Sequence, residues 1–169
     1  MVRAWVGTLL FLVVAPGVVA GLVPWLISGW REPAAWGPPV LIWVVSLLLI
    51  LPGVWLLLDA FVRFARASGT PAPVAPTAHL VVVGPYRFVR NPMYLAVVAI
   101  ILGQAVLFGN WGVVVWAVVV AAAMALFVYG YEQPTLARTY GDEYARYRAN
   151  VRAWLPRLRP WNGGRDTGG

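Results

Sequence analysis

The chain has 169 residues, 61% of them hydrophobic and 11% charged, with a net charge of +7 and no cysteine. So apolar a composition does not suit a water-soluble domain of this length and points to an integral membrane protein. The missing cysteine excludes disulfides, thiolate metal sites and a cysteine nucleophile; one histidine and scattered carboxylates make no metal-ligand cluster.

Four apolar stretches follow one another, at 4–27, 40–58, 93–108 and 111–131. A helix crosses a bilayer with about 20 apolar residues, and with no fewer than about 17. The third stretch is short and becomes adequate when Tyr94 and the preceding turn lie at the interface. The first carries Pro16 and Pro24, so kinks are expected there. Arg3 and the Val18-Val19-Ala20 run imitate a signal peptide, but the apolar run continues to Ile27. That is longer than a signal core of about 7–15 residues, so a retained helix is expected. Residues 28–39 form a Gly/Pro/Trp-rich loop, with Trp30 and Trp36 suited to the headgroup level.

The second stretch ends near Asp59, which pairs at i, i+4 with Arg63. Residues 67–78, ASGTPAPVAPTA, read as an irregular connection. Then comes GPYRFVRNPMY at 84–94. Gly84-Pro85 is a turn signal, Pro92 suits the first helical position, and Asn91 falls at the N-cap. The link Phe108-Gly109-Asn110-Trp111 permits only a tight hairpin, so the third and fourth helices lie antiparallel. Ala117, Ala121 and Ala125 give the fourth a small-residue face. The hairpin brings Arg90, Asn91 and Tyr94 towards Tyr131 and Glu132. Beyond Glu132, Pro134 suits a first turn, Gly141 a helix end, and Asp142 a new start. Tyr140, Tyr144, Tyr147 and Val151 form a helical stripe with Arg146, Arg148 and Arg152 off it. That pattern predicts an amphipathic helix on the membrane surface. Residues 1–161 read as one domain and 162–169 as a disordered tail.

Every basic residue is an arginine. Arginines crowd the loop between the second and third stretches and the tail, while the other two connections hold almost none. Positive charge stays cytoplasmic, so four crossings with both termini in the cytoplasm are expected. Arginines that flank membrane spans suit anionic lipid headgroups rather than nucleic acid.

Several polar residues have two readings each. Glu132 is either a charge surfacing at the interface or a carboxylate for a cation or for ligand hydroxyls. Arg87 and Arg90 are topology determinants, or, with the helix start behind Arg90, a seat for an anion. Asn91 caps the helix or aims its amide at a ligand. Tyr86 and Tyr94 are belt residues, or stack on a purine. His79 is the one histidine and has no evident partner.

GPYRFVRNPMY resembles the "GxYrxvRHPxY" signature of the isoprenylcysteine carboxyl methyltransferase and phospholipid N-methyltransferase superfamily. YEQPTLARTYGDEYARYRANVRAWLP at 131–156 resembles its second signature, "EExxLxxxFGxeYxxYxxxVxxxxP". The likeness covers roughly residues 78–156. It implies an all-α integral membrane protein with four transmembrane helices, a C-terminal helical hairpin and a short cytosolic amphipathic helix. It also implies an S-adenosylmethionine-dependent enzyme with a membrane-embedded or lipophilic acceptor. Position by position, it implies that Leu80, Val81, Tyr86, Asn91, Pro92, Met93, Tyr94 and Glu132 line the cofactor pocket. Arg90, Asn91 and Glu132 are its candidate catalytic residues. Two positions depart from the signature: Asn91 replaces a histidine and Gln133 a glutamate. An asparagine cannot take a proton, which leans away from an amine acceptor and towards a carboxylate or thiol. Two alternatives stand beside this expectation: a sterol-reductase-like enzyme with a nicotinamide cofactor, and a non-catalytic membrane scaffold.

Overall fold

A computed structural model describes residues 16–31, 37–66, 80 and 82–163. Val81, His79 and the first half of the first apolar stretch, residues 4–15, lie outside the described residues. Those described form helices and turns, with no strand among them. A π turn, Val18–Leu22, leads into α1, Val23–Ser28. Helix α2 runs over Pro39–Arg66. A 3₁₀ turn, Gly84–Arg87, precedes α3, Pro92–Phe108. Helix α4, Trp111–Phe127, passes through a second π turn, Val128–Glu132, into α5, Gln133–Asn150. Among the described residues, two helices are long and apolar enough to cross a bilayer: Pro39–Arg63, and the continuous run Trp111–Asn150. Helix α3, with 17 residues, stands at the lower limit.

The core gathers Leu57 and Phe61 of α2, Ala96, Val97, Ile100, Ile101 and Ala105 of α3, and Val113, Ala117 and Val120 of α4. Leu48, Val118 and Leu126 point outwards at 67%, 62% and 76% exposure. An apolar exterior around a small-residue interior is what a lipid surrounding requires. Close helix approach is carried by glycines rather than by the expected alanine face. A Cβ on Gly53 would meet Ile100 Cγ1 at 2.9 Å and the Ala96 carbonyl at 3.0 Å, and one on Gly103 would meet the Ser46 carbonyl at 3.1 Å. Helices α2 and α3 therefore touch backbone to backbone, as small residues allow in membranes. Ala117 is buried, but Ala121 and Ala125 are only half-buried.

The α3–α4 hairpin forms as its sequence predicts. Asn110 N–H bonds to Ala105 O at 3.1 Å and Gly109 N–H to Val106 O at 3.3 Å, with Gly109 at φ 55°. That pattern is a Schellman turn. The Asn110 side chain then caps α4 by accepting from Val113 N–H at 3.2 Å.

Pro24 explains the first π turn. It has no N–H for the Ala20 carbonyl four residues back. The Val23 N–H bonds to Val18 O, which takes a donor from Val19 O too. Both stranded carbonyls are met from the hairpin: Gln104 Nε2 donates to Ala20 O at 2.6 Å, and Trp116 Nε1 to Val19 O at 2.9 Å. The kinked helix is thereby fastened to α3 and α4 by polar bonds inside an apolar core.

At the far end of α4 the same arrangement recurs. Pro134 has no N–H for Gly130 O, and the Gln133 N–H goes to Val128 O rather than to Tyr129 O. The expected break at Gly141 is present as a kink within α5, at φ 48° and ψ −121°.

Candidate functional site

The site is assembled where α2 ends, α3 begins and α4 runs into α5. Asp59 and Arg63 form a bidentate ion pair, with Nε–Oδ2 at 2.7 Å and Nη2–Oδ1 at 2.9 Å. The Arg63 guanidinium lies directly on Gly84, which holds φ 54°. A side chain at 84 would be strained by that backbone and would overlap the guanidinium. The ion pair thus seats the 3₁₀ turn that carries Tyr86.

Tyr86 is buried, and its carbonyl accepts from Tyr147 Oη at 2.7 Å. Burial pushes the Tyr86 phenol well above the ordinary tyrosine range, and the nearby Glu132 charge adds to the effect. Arg90 Nη1 donates to Tyr144 Oη at 3.1 Å. The stripe of Tyr144, Tyr147 and Val151 therefore faces inwards, covered by Leu80, Val82 and Trp161, and does not rest on lipid. The reason is chemical: buried phenols need polar partners, and the Arg90 guanidinium and the Tyr86 carbonyl supply them where lipid tails cannot. Tyrosines in place of leucines on that stripe were the available signal.

The segment after α5 folds back onto the first motif. Arg90 N–H bonds to Arg152 O at 2.9 Å, and Asn91 N–H to Ala153 O at 3.3 Å. Arg157 N–H bonds to Phe88 O at 2.9 Å, and Trp161 N–H to Arg87 O at 2.9 Å. The Arg87 side chain donates to Trp161 O at 2.9 Å and to Asn162 Oδ1. Asn162 is thus held in place, against the expectation that the disordered tail begins there. The Arg90 guanidinium is thus engaged at Nη1 by Tyr144, and the Arg90 and Asn91 N–H groups, which precede the helix, meet carbonyls.

Asn91 occupies the N-cap position of α3, yet its side chain makes no capping bond. It is buried, and its Nδ2 has no partner. Three residues on, Tyr94 Oη donates to Glu132 Oε2 at 2.8 Å, joining the start of α3 to the end of the second π turn. Gln133, the next residue, is buried with Nε2 unpartnered; Arg90 Nε and Thr135 Oγ1 are also without partners. Pro92 is fully buried, and Met93 packs against the core. Of the sequence-predicted residues, the structure brings together Arg90, Asn91, Tyr94 and Glu132, with Tyr86 beneath them and Leu80 against the tyrosine stripe. Tyr144, bonded to Arg90, and Trp154, packed by Tyr94, were not among the expected site residues.

Buried polar groups are normally satisfied, because each orphan costs about 1–3 kcal/mol. Four such orphans, on Arg90, Asn91, Gln133 and Thr135, fall in the two stretches that the Tyr94–Glu132 bond joins. A sequence model of phospholipid methyltransferases matches residues 41–143, more than half of the chain. The chain belongs to the phospholipid methyltransferase family. No curated protein and no solved structure matches it. Membership indicates a methyltransferase working at a membrane. The matched region of this phospholipid methyltransferase family member contains the first motif, the π turn and Glu132. It stops short of Tyr144, Tyr147 and the folded-back segment that holds Arg90 and Asn91.

Proposed function

We propose that the chain transfers a methyl group from S-adenosylmethionine to a lipophilic acceptor, with a phospholipid headgroup first among the candidates. The observation that carries this is the Tyr94–Glu132 bond, with unpartnered buried donors on Arg90, Asn91 and Gln133 in the two stretches it joins. The donor set fits the cofactor's chemistry. The Asn91 and Gln133 amides suit a carboxylate and a purine edge. Glu132 suits ribose hydroxyls or an ammonium. Leu80, Tyr86, Pro92 and Met93 supply the apolar and aromatic surroundings; Val81, outside the described residues, is assigned to them by the resemblance alone. When bound there, the cofactor supplies an electrophilic sulfonium methyl.

The chain's own contribution is position and proton handling. Holding two reactants in line lowers a barrier by several kcal/mol, up to roughly 7–11. A carboxylate or thiolate acceptor needs no base. A headgroup amine must lose a proton first; Asn91 cannot take it, and Glu132 is the group that can. Charge placement supports four crossings with both termini cytoplasmic, and hence a pocket at the inner leaflet that a lipid reaches from its own layer.

Calorimetric titration of the purified chain with S-adenosylhomocysteine tests this reading. Binding is expected, and Glu132→Ala is expected to weaken it roughly 10- to 100-fold, the value of a hydrogen bond to a charged group, with membrane insertion intact. Unchanged affinity in that variant, or binding of NADPH with none of S-adenosylhomocysteine, would reject it.

A further inference from the structure

Three aromatic rings from three parts of the chain meet beside Glu132. Tyr94 comes from α3, Tyr129 from the second π turn, and Trp154 from the folded-back segment. The Trp154 ring centroid stands 6.4 Å from that of Tyr94, inclined at 40°, and 6.4 Å from that of Tyr129, inclined at 63°. Trp154 Nε1 donates to Tyr129 Oη at 2.9 Å, which fixes the indole against one wall. Tyr94 Oη donates to Glu132 Oε2 at 2.8 Å, which fixes a carboxylate against the other.

Tyr129 is 54% exposed, so its placement is not that of a core side chain. The backbone departs from the α-helical pattern at the same turn. Pro134 offers no N–H to Gly130 O, and the Gln133 N–H is drawn to Val128 O instead of Tyr129 O. In the matching turn before Pro24, side-chain donors cover the equivalent carbonyls. At Gly130 a Cβ would meet nothing within 4 Å, so the turn is open to an incoming group.

We propose that Tyr94, Tyr129 and Trp154, together with the Glu132 carboxylate, form a binding site for a methylated onium centre. Aromatic faces attract such cations through their quadrupole, most strongly at tryptophan, and methyl groups on the cation keep it weakly hydrated. A carboxylate at the edge selects charge over mere bulk. Two ligand sources carry this chemistry: the sulfonium of the methyl donor, and a methylated ammonium on a lipid headgroup. The inference rests on the function proposed above and adds Trp154 and Tyr129 to it as ligand contacts. Trp154 lies beyond the region matched by the family.

The experiment compares ligands that carry a charged onium centre with close analogues in which that centre is neutral, on the full chain in maltoside micelles, by calorimetry. One arm pairs S-adenosylmethionine with S-adenosylhomocysteine. The other pairs dodecylphosphocholine with its carbon isostere, dodecyl 3,3-dimethylbutyl phosphate. Trp154→Leu is expected to weaken the charged member of one pair roughly five- to thirtyfold and to leave its neutral partner unchanged, while Trp154→Phe keeps most of the affinity. Loss in the first arm assigns the site to the sulfonium; loss in the second assigns it to the ammonium. Tyr129→Leu, at a more exposed position, should show the same selectivity more weakly and guards against a folding defect at 154. Equal loss of charged and neutral ligands, or an unchanged ratio in both arms, overturns the proposal and leaves the rings as an interfacial belt. Failure of the unaltered chain to bind S-adenosylhomocysteine would instead defeat the methyl-donor reading, and the phosphocholine arm would still judge the aromatic site.

Discussion

Replacing Gln104 with leucine removes the donor that the Ala20 carbonyl depends on, because Pro24 has no N–H to give in its place. The bond is short, 2.6 Å, and lies in a buried apolar setting. A stranded buried carbonyl costs about 1–3 kcal/mol, and interhelical side-chain bonds in membranes are worth at most about 1.7. A loss of about 1–2 kcal/mol is expected for Gln104→Leu. Pro24→Ala supplies the missing N–H, so in that background the same change should cost at least about 0.5 kcal/mol less. Equilibrium unfolding in mixed micelles, followed by circular dichroism, gives the four stabilities of the double-mutant cycle. Strictly additive costs would refute the account of the π turn. Affinity for S-adenosylhomocysteine should stay level throughout, since this contact lies away from Glu132.

The remaining expectations concern the site and its supports. Gly84→Ala should destabilise by about 1–3 kcal/mol, from positive φ and overlap with Arg63; thermal unfolding measures it, and a neutral result would mean that the Arg63 contact is dispensable. Arg90→Lys loses the guanidinium fork, so ligand affinity should fall even though charge and topology are kept; equal affinity by calorimetry would reduce Arg90 to a topology determinant. Tyr86 ionises less readily in the fold than in the unfolded chain. Its contribution is therefore complete below about pH 10 and is lost as pH rises beyond that. Unfolding midpoints of the chain and of Tyr86→Phe should converge over that alkaline range, and parallel curves would count against burial. Cysteine labelling at Ala75→Cys and Pro160→Cys should find both on the cytoplasmic face, with Ala34→Cys opposite; residues 75 and 160 on different faces would break the topology.

The hairpin was legible in the letters because Gly109 and Asn110 permit one kind of turn, and a hairpin forces the ends of its two helices together. From that alone followed the approach of Tyr94 to Glu132. The helix start at Pro92 and the kink at Gly141 were equally readable, since proline fixes φ and removes a donor, while glycine readily takes the positive φ that breaks a helix. Tertiary contacts decided the rest. Asn91 looked like a cap, yet its side chain makes no capping bond and its amide is buried without a partner, because position on a helix does not fix a rotamer. The tyrosine stripe looked like a lipid-facing surface and became an inner wall, because Arg90 and the Tyr86 carbonyl satisfy its phenols. Residues 151–162 carry no periodic signal, and only backbone bonds to Arg87, Phe88, Arg90 and Asn91 bring Trp154 beside Tyr94. Local chemistry sets which turns and helices are possible; which polar groups find one another is set by distances across the fold, and these no single stretch of sequence contains.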